Sequence, residues 1–376
     1  MDTYSNKMYF TKTLLLWNKQ ENKRKMPWKG ETDPYKIWLS EIILQQTRVE
    51  QGWKYYDRFI AAYSGIEKLG KASEEKVFKL WEGLGYYTRC KNLIATAKFI
   101  TQEKKGVFPN TYEEILALKG VGPYTAAAIA SFAFNLPYAV LDGNVFRVLS
   151  RFFGIDKAIN STEGKEIFKT LANQLLDKKK PGIYNQAIMD FGAVICKPKN
   201  PLCSTCCLKS KCVAGLQNIT DKFPVKDGKL IKKSRWFYYL IVEQNGKIYV
   251  RKRGAKDIWE NLYEFVLLET GKLMTVEEIT ETSLFKKIVY KNRYEIINVS
   301  RLYNQKLTHQ TIQGIFIHIK AAKAITGQIY KAVTHKKLAK LPFPKFITLY
   351  LAENEAMQLK DKNVSLNLLK RKGNRK

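Results

Sequence analysis

The 376-residue sequence predicts a multi-domain protein, an all-α domain followed by an α+β domain. Apolar residues recur at helical spacing from the N-terminus to about residue 195. From Trp236 onward, β-rich runs flank Asn245-Gly246, the strongest short-range hairpin signal. Between the two patterns, residues 218–234 are polar and lysine-rich, contain Pro224 and Gly228, and lose periodicity, which reads as a linker. The expected layout is therefore a helical domain over 1–217, a linker over 218–234, a second domain over 235–350 and a tail over 351–376. Beyond Leu359 the tail is basic and low in aromatics, a composition that reads as disordered.

A hydrophobic fraction of 45% is enough for a sizeable core, whereas the formal net charge of +31 is far from ordinary. So basic a chain points to a polyanionic partner, with counterion release supplying much of the affinity. The sequence holds no apolar run long enough to span a bilayer, and MDTYSNKMYF lacks a signal-peptide core. The reading is a soluble intracellular protein with no membrane partner, where free thiols rather than disulfides are expected.

In chain order, a helix-like run covers Phe10–Trp17, and a basic turn ends in Arg24-Lys25-Met26-Pro27-Trp28. Asp33-Pro34 makes a helix start, followed by Ile37, Trp38, Ile42 and Val49 at helical spacing. Glu41 lies beside Ile42, Ile43 and Leu44. It is either solvated on a polar face or, in a dry pocket, a carboxyl of raised pKa fit for general acid work. Amphipathic helices over 74–104 are interrupted at Gly83-Leu84-Gly85-Tyr86-Tyr87, a packed corner or an aromatic wedge for stacked bases. Lys119-Gly120-Val121-Gly122-Pro123 then turns into the small-residue run Thr125–Ala133, leaving backbone N–H groups free at a helix start. Asp142 follows in Leu-Asp-Gly-Asn. A phosphate grip with a nearby carboxylate suggests chemistry on nucleic acid; a plain helix–turn–helix is the alternative.

Two more helical runs fill 161–195, split by Lys178-Lys179-Lys180-Pro181-Gly182. Cys196, Cys203, Cys206 and Cys212 come next, a set suited to metal, either zinc or an iron–sulfur cluster. Cys207 reads as a bystander and Cys90 as a buried apolar residue. In the second domain, strands are expected at Trp236–Glu243, Lys247–Arg253, Ile288–Tyr290, Tyr294–Val299 and Ile312–Lys320, with a helix at Val276–Thr282.

Taken together, MPW (Met26–Trp28), WLSEIILQQTRV (Trp38–Val49), LWEGLGYYTRCKNL (Leu80–Leu93), LKGVGPYTAAAI (Leu118–Ile129), VLDGNVFRVLSR (Val140–Arg151) and YNQAIMDFGAVIC (Tyr184–Cys196) resemble the MutY-type adenine DNA glycosylases. These belong to the helix–hairpin–helix base-excision repair superfamily that includes endonuclease III. The resemblance implies a helix–hairpin–helix catalytic domain, with a six-helix module over about 33–142 and an iron–sulfur module over about 1–32 and 143–217. It also implies one 4Fe–4S cluster on Cys196, Cys203, Cys206 and Cys212. Endonuclease III-like enzymes carry a lysine nucleophile where this chain has Tyr124, which cannot form a Schiff base, so a monofunctional glycosylase is implied. A lysine common in the family is replaced by Phe146. The C-terminal domain resembles the family's Nudix-like 8-oxoguanine-reading domain through IWENLYEF (Ile258–Phe265) and KLTHQTI (Lys306–Ile312), with Leu307 in place of an aromatic residue. It lacks the Nudix catalytic run.

The implied activity is removal of adenine mispaired with 8-oxoguanine or guanine in double-stranded DNA, by a monomer. Glu41 and Asp142 would be the catalytic pair, supported by Tyr124 and Asn144. Arg24, Trp28 and Gln186 would line the adenine pocket. Gln45, Gln46 and Thr47 would probe the minor groove, and Gly120 and Gly122 would hold the backbone. Tyr86 would wedge beside the lesion, which Thr308 and His309 would read. The alternatives are another glycosylase of the superfamily, acting on thymine mismatches or oxidised pyrimidines, and a non-enzymatic lesion binder.

Overall fold

The structure, a computed structural model, describes residues 3–228, 232–255, 257–289, 294–325 and 329–354. It separates into two compact units, 1–72 with 89–229, and 73–88 with 230–376. In chain order the helices up to the linker are α1 (Thr3–Gln20), α2 (Pro34–Leu44), α3 (Val49–Ala62), α4 (Ile66–Gly70), α5 (Glu74–Trp81), α6 (Tyr87–Glu103), α7 (Tyr112–Leu116), α8 (Pro123–Phe134), α9 (Gly143–Phe153), α10 (Thr162–Leu175), α11 (Pro181–Val194) and α12 (Val213–Leu216).

The first unit is all helix, as its periodicity predicts. Its starts are chemically marked: Asp33 caps α2 by accepting the Tyr35 N–H, and Pro34, Pro123 and Pro181 each sit in a first turn, where no N–H partner is needed. One core joins α1, α8, α9, α10 and α11 through Phe10, Trp17, Ala128, Leu149, Phe168 and Phe191. The pattern Ile37–Val49 is not one helix. The chain breaks after Leu44, turns with Gln46 at φ +55°, and restarts at Val49. Of the two hairpin glycines only Gly120 has positive φ, +81°. The linker is partly tied down: Val225 O accepts the Ile159 N–H, and Asp227 exchanges two hydrogen bonds with Asn160.

In the second unit β1 (Lys233–Gln244), β2 (Lys247–Lys252), β3 (Tyr263–Glu264) and β4 (Val266–Thr270) precede α13 (Val276–Thr280) and α14 (Ser283–Ile288). Then come β5 (Tyr294–Val299), β6 (Tyr303–Lys306), β7 (Gln310–Ala321), β8 (Lys331–Thr334), α15 (His335–Leu338) and a helical segment over 345–354. The sheet runs β3-β2-β1-β7-β5, with β4 on β1, β6 on β7 and β8 on β2. Its centre is a parallel β1–β7 pair in register from Lys233↔Gln310 to Glu243↔Lys320. Asn245 and Gly246, both at positive φ, turn β1 into β2 as their dipeptide predicts. Gly314 is required by contact: a Cβ there would stand 1.7 Å from the Phe237 carbonyl oxygen.

One expected strand is corrected. Ile288 closes α14, which is started by the Thr282 side chain accepting the Phe285 N–H; Tyr290, the end of that run, lies outside the described residues. The expected boundary at 350 also shifts, since the last helical segment runs on to 354; the tail from 355 onward lies outside the described residues. Helix α5 and the Gly83–Tyr87 turn group with the second unit, for specific reasons. Glu75 accepts from Tyr263 and Lys337, Lys79 donates to Leu341 O, and Glu82 accepts the Phe343 N–H.

Candidate active site

A cavity of about 1020 Å³ opens in the first unit, lined by residues of the basic turn, α2, α8, the start of α9 and α11. Glu41 lies on its wall with 5% exposure, because α2 is apolar nearly all round and packs against α8. Desolvation pushes its carboxyl from 4.5 up to about 7; the Tyr124 hydroxyl opposes this by donating to it, and the charge of Asp142 reinforces it. Tyr124 stands in the first turn of α8, its own ionisation suppressed by burial and by the two carboxylates.

Asp142 is the N-cap of α9. Its Oδ1 accepts the Val145 N–H at 2.7 Å and its Oδ2 accepts Asn144 Nδ2 at 2.7 Å, so the cap fixes the carboxylate's plane. Burial raises its pKa, against those two hydrogen bonds. Three elements thus bring two carboxyls and a phenol onto one cavity. Arg147, one turn into α9, donates to Asn144 Oδ1 and to the carbonyls of Gly143, Gly192 and Cys196.

Arg24, Trp28, Gln45, Gln46, Thr47, Asn144 and Gln186 line the same cavity. Trp28 is held edge-on by Tyr56 at 5.4 Å and Trp53 at 6.4 Å. Gln45 Nε2 reaches the Gly120 carbonyl at 3.4 Å and Thr125 Oγ1 at 3.3 Å, which ties the turn after α2 to the glycine hairpin; Gly122 is the N-cap of α8. Tyr86, Thr308 and His309 are not in this group. They fall in the second unit, where the β6–β7 turn, closed by Leu307 N–H to Gln310 O, exposes Thr308 and His309. The Tyr86 hydroxyl and Thr308 Oγ1 are 3.0 Å apart, and Tyr86 holds φ +48°.

The cysteine loop packs on α9 and α1. Arg151 Nη1 lies 3.5 Å from Cys196 Sγ, and Cys212 Sγ donates to Arg151 O at 3.4 Å. Cys206 and Cys212 each feel the charge of Cys196. Among the described residues no group of three or more His, Cys, Asp or Glu is arranged to hold a metal ion.

Three residues around the cavity escape sequence reasoning. Arg89, on α6, caps the end of α2 through the Ile42 and Ile43 carbonyls and also donates to Thr47 Oγ1. Asp190, fully buried, pairs with both Lys29 and Arg24. Only the i,i+4 spacing of Gln186 and Asp190 on α11 signals any of these contacts.

Residues 39–175 match the HhH-GPD superfamily base excision DNA repair protein family, and residues 237–353 match the NUDIX domain. The chain is 35% identical over 308 residues to the adenine DNA glycosylase of Buchnera aphidicola subsp. Baizongia pistaciae, spanning 81% of this chain and 84% of that one. It is 42% identical over 214 residues to the adenine DNA glycosylase of Mus musculus, spanning 54% of this chain and 41% of the relative. A thermostable thymine-DNA glycosylase is similar in structure, with a TM-score of 0.54 and 30% identity, over 58% of this chain and 100% of that one. No described helix is long and apolar enough to cross a membrane. A glycosylase-type helical unit joined to a Nudix-type sheet, at this identity and over this share of the relative's length, places the chain in the MutY-type adenine DNA glycosylase family.

Proposed function

We propose that the protein is a monofunctional adenine DNA glycosylase that removes adenine paired with 8-oxoguanine or guanine. The observation that carries this reading is Glu41, a buried carboxyl held near pKa 7 on a cavity of base-accommodating size, with Tyr124 and Asp142 beside it. A base inside a duplex is out of reach, so the adenine nucleotide is extruded into the cavity between Trp28, Arg24 and Gln186. Glu41, still protonated near neutrality, gives its proton to adenine N7 and makes the base a better leaving group. The glycosidic bond breaks, and positive charge develops on the sugar. Asp142, oriented by Val145 and Asn144, stabilises that cation until water adds. Tyr124 holds the Glu41 carboxyl in place and, lacking an amine, offers no lyase chemistry.

Gln45, Gln46 and Thr47 then fill the gap left by the base, Gly120 and Gly122 grip the backbone, and Tyr86 with Thr308 and His309 reads the opposing lesion. Cys196, Cys203, Cys206 and Cys212, in the spacing that resembles the family's, would hold one 4Fe–4S cluster. Arg147 and Arg151, buried beside the loop and bonded to Cys196, would balance the charge of an anionic cluster. Such a cluster supplies a structural anchor for the loop and its lysines. The catalytic domain is taken as 1–217, the lesion-reading domain as 235–350, and the enzyme as an intracellular monomer.

Single-turnover release of adenine from an 8-oxoguanine:adenine duplex tests the reading. Rapid release, with strand scission only after alkali, is expected. Release of thymine in its place would favour the activity named for the similar thymine-DNA glycosylase, and release of oxidised pyrimidines another glycosylase of the superfamily.

A further inference from the structure

Asp190 has no part in the scheme above, yet it is the most heavily bonded carboxylate at the cavity. It lies on α11 with 0% side-chain exposure. Its Oδ1 accepts from Arg24 Nη1 at 2.8 Å and Gln186 Nε2 at 2.9 Å; its Oδ2 accepts from Asn22 Nδ2 at 2.8 Å and Lys29 Nζ at 2.8 Å. Four donors occupy the acceptor sites of a carboxylate, and two of them are cations, which is how a buried charge is made tolerable. Three of the donors, Arg24, Lys29 and Gln186, line the cavity.

We propose that Asp190 sets the base specificity of this cavity by fixing which way the Gln186 amide faces. An ionised carboxylate can only accept, so Gln186 must turn its NH₂ toward Asp190, and its carbonyl oxygen is the end left for the cavity. Arg24, anchored through Nη1, keeps further N–H donors for the same space. A hydrogen-bond acceptor beside a donor complements a purine with an exocyclic amino group next to an unprotonated ring nitrogen. The pair opposes a purine with an exocyclic oxygen next to a ring N–H. Asp190 is therefore a positioning residue, acting through Gln186 and Arg24 without touching the base.

The proposal rests on the adenine glycosylase reading, and the test keeps the two apart. The full-length protein is given duplexes that differ only in carrying adenine or hypoxanthine opposite 8-oxoguanine, and single-turnover release is measured for each. Hypoxanthine keeps N7, so the proton acceptor is unchanged. If the unmodified protein releases no adenine, the functional reading itself fails. If it does, Asp190→Asn frees the Gln186 amide to turn over, and the preference for adenine over hypoxanthine is expected to fall about tenfold, the scale of one mismatched buried hydrogen bond. A purely structural loss would lower both rates together, so a preference changed by less than about threefold overturns the proposal. Should Asp190→Asn lose its cooperative melting, Asp190→Glu decides. It keeps a negative charge for Arg24 and Lys29 but moves the acceptor off the Gln186 amide, and the preference must still fall by more than about threefold.

Discussion

Glu41 ties its chemistry to pH in two measurable ways. Burial lifts its carboxyl from 4.5 to about 7, so the folded protein keeps a proton that the unfolded chain has lost across that window. The site's contribution to stability is full below the unfolded value and declines as pH rises through the folded one. Glu41→Gln is therefore expected to leave stability near pH 4 unchanged and to raise it at about pH 8.5 by on the order of 3 kcal/mol, read from urea unfolding at both values. An equal gain at both pH values would refute the buried ionisation. The same substitution should slow adenine release by at least about 10³-fold, combining lost proton donation with the poorer leaving group. In the unmodified enzyme, the single-turnover rate should fall about tenfold per pH unit once pH exceeds Glu41's value; a flat profile to about pH 9 would rule out its role as the acid.

At the scale of elements, much was legible because local chemistry decides where helices begin. Asp33-Pro34 and Gly122-Pro123 each mark a start that the structure keeps, and Asn245-Gly246 marks its hairpin. What could not be read is whatever depends on a partner far along the chain. The break after Leu44 is stabilised by Arg89, on another helix, and the apolar spacing through Val49 conceals it. Ile288, β-branched and next to a valine, looks like strand until the Thr282 cap is taken into account. Asp190 gathers donors from the turn at residues 22–29, contacts that no periodicity encodes. Gly314 likewise gives no sign in sequence of its contact with Phe237. Gly314→Ala is expected to destabilise the second unit by more than about 3 kcal/mol, since a Cβ meets backbone that cannot yield. Chemical denaturation followed through the second unit's tryptophans checks this; a loss below about 1 kcal/mol would contradict it.

For the whole molecule, the formal charge of +31 is a statement about association. With roughly six to ten phosphate contacts, affinity for duplex DNA should drop about 10³- to 10⁵-fold between about 50 and 200 mM salt. A fluorescence titration showing a tenfold drop or less would mean that few of these charges face DNA. In the second unit, Thr308→Ala with His309→Ala is expected to leave adenine release intact and reduce the preference for 8-oxoguanine over guanine, measured on paired duplexes. An unchanged preference would remove the β6–β7 turn from lesion reading.

The parallel pairing of β1 with β7 also governs when this chain can fold. Strand β1 is complete soon after the linker, but its longest partner runs to Ala321, beyond most of the unit. Until then Phe237–Val242, buried in the finished sheet, has only antiparallel neighbours and one open edge. Such long-range closure is slow, and it comes late as the chain leaves the ribosome. A chain truncated anywhere between β4 and β7 would carry a long, sticky, unpaired edge, so its fate would be decided by aggregation and proteolysis before any loss of chemistry could matter.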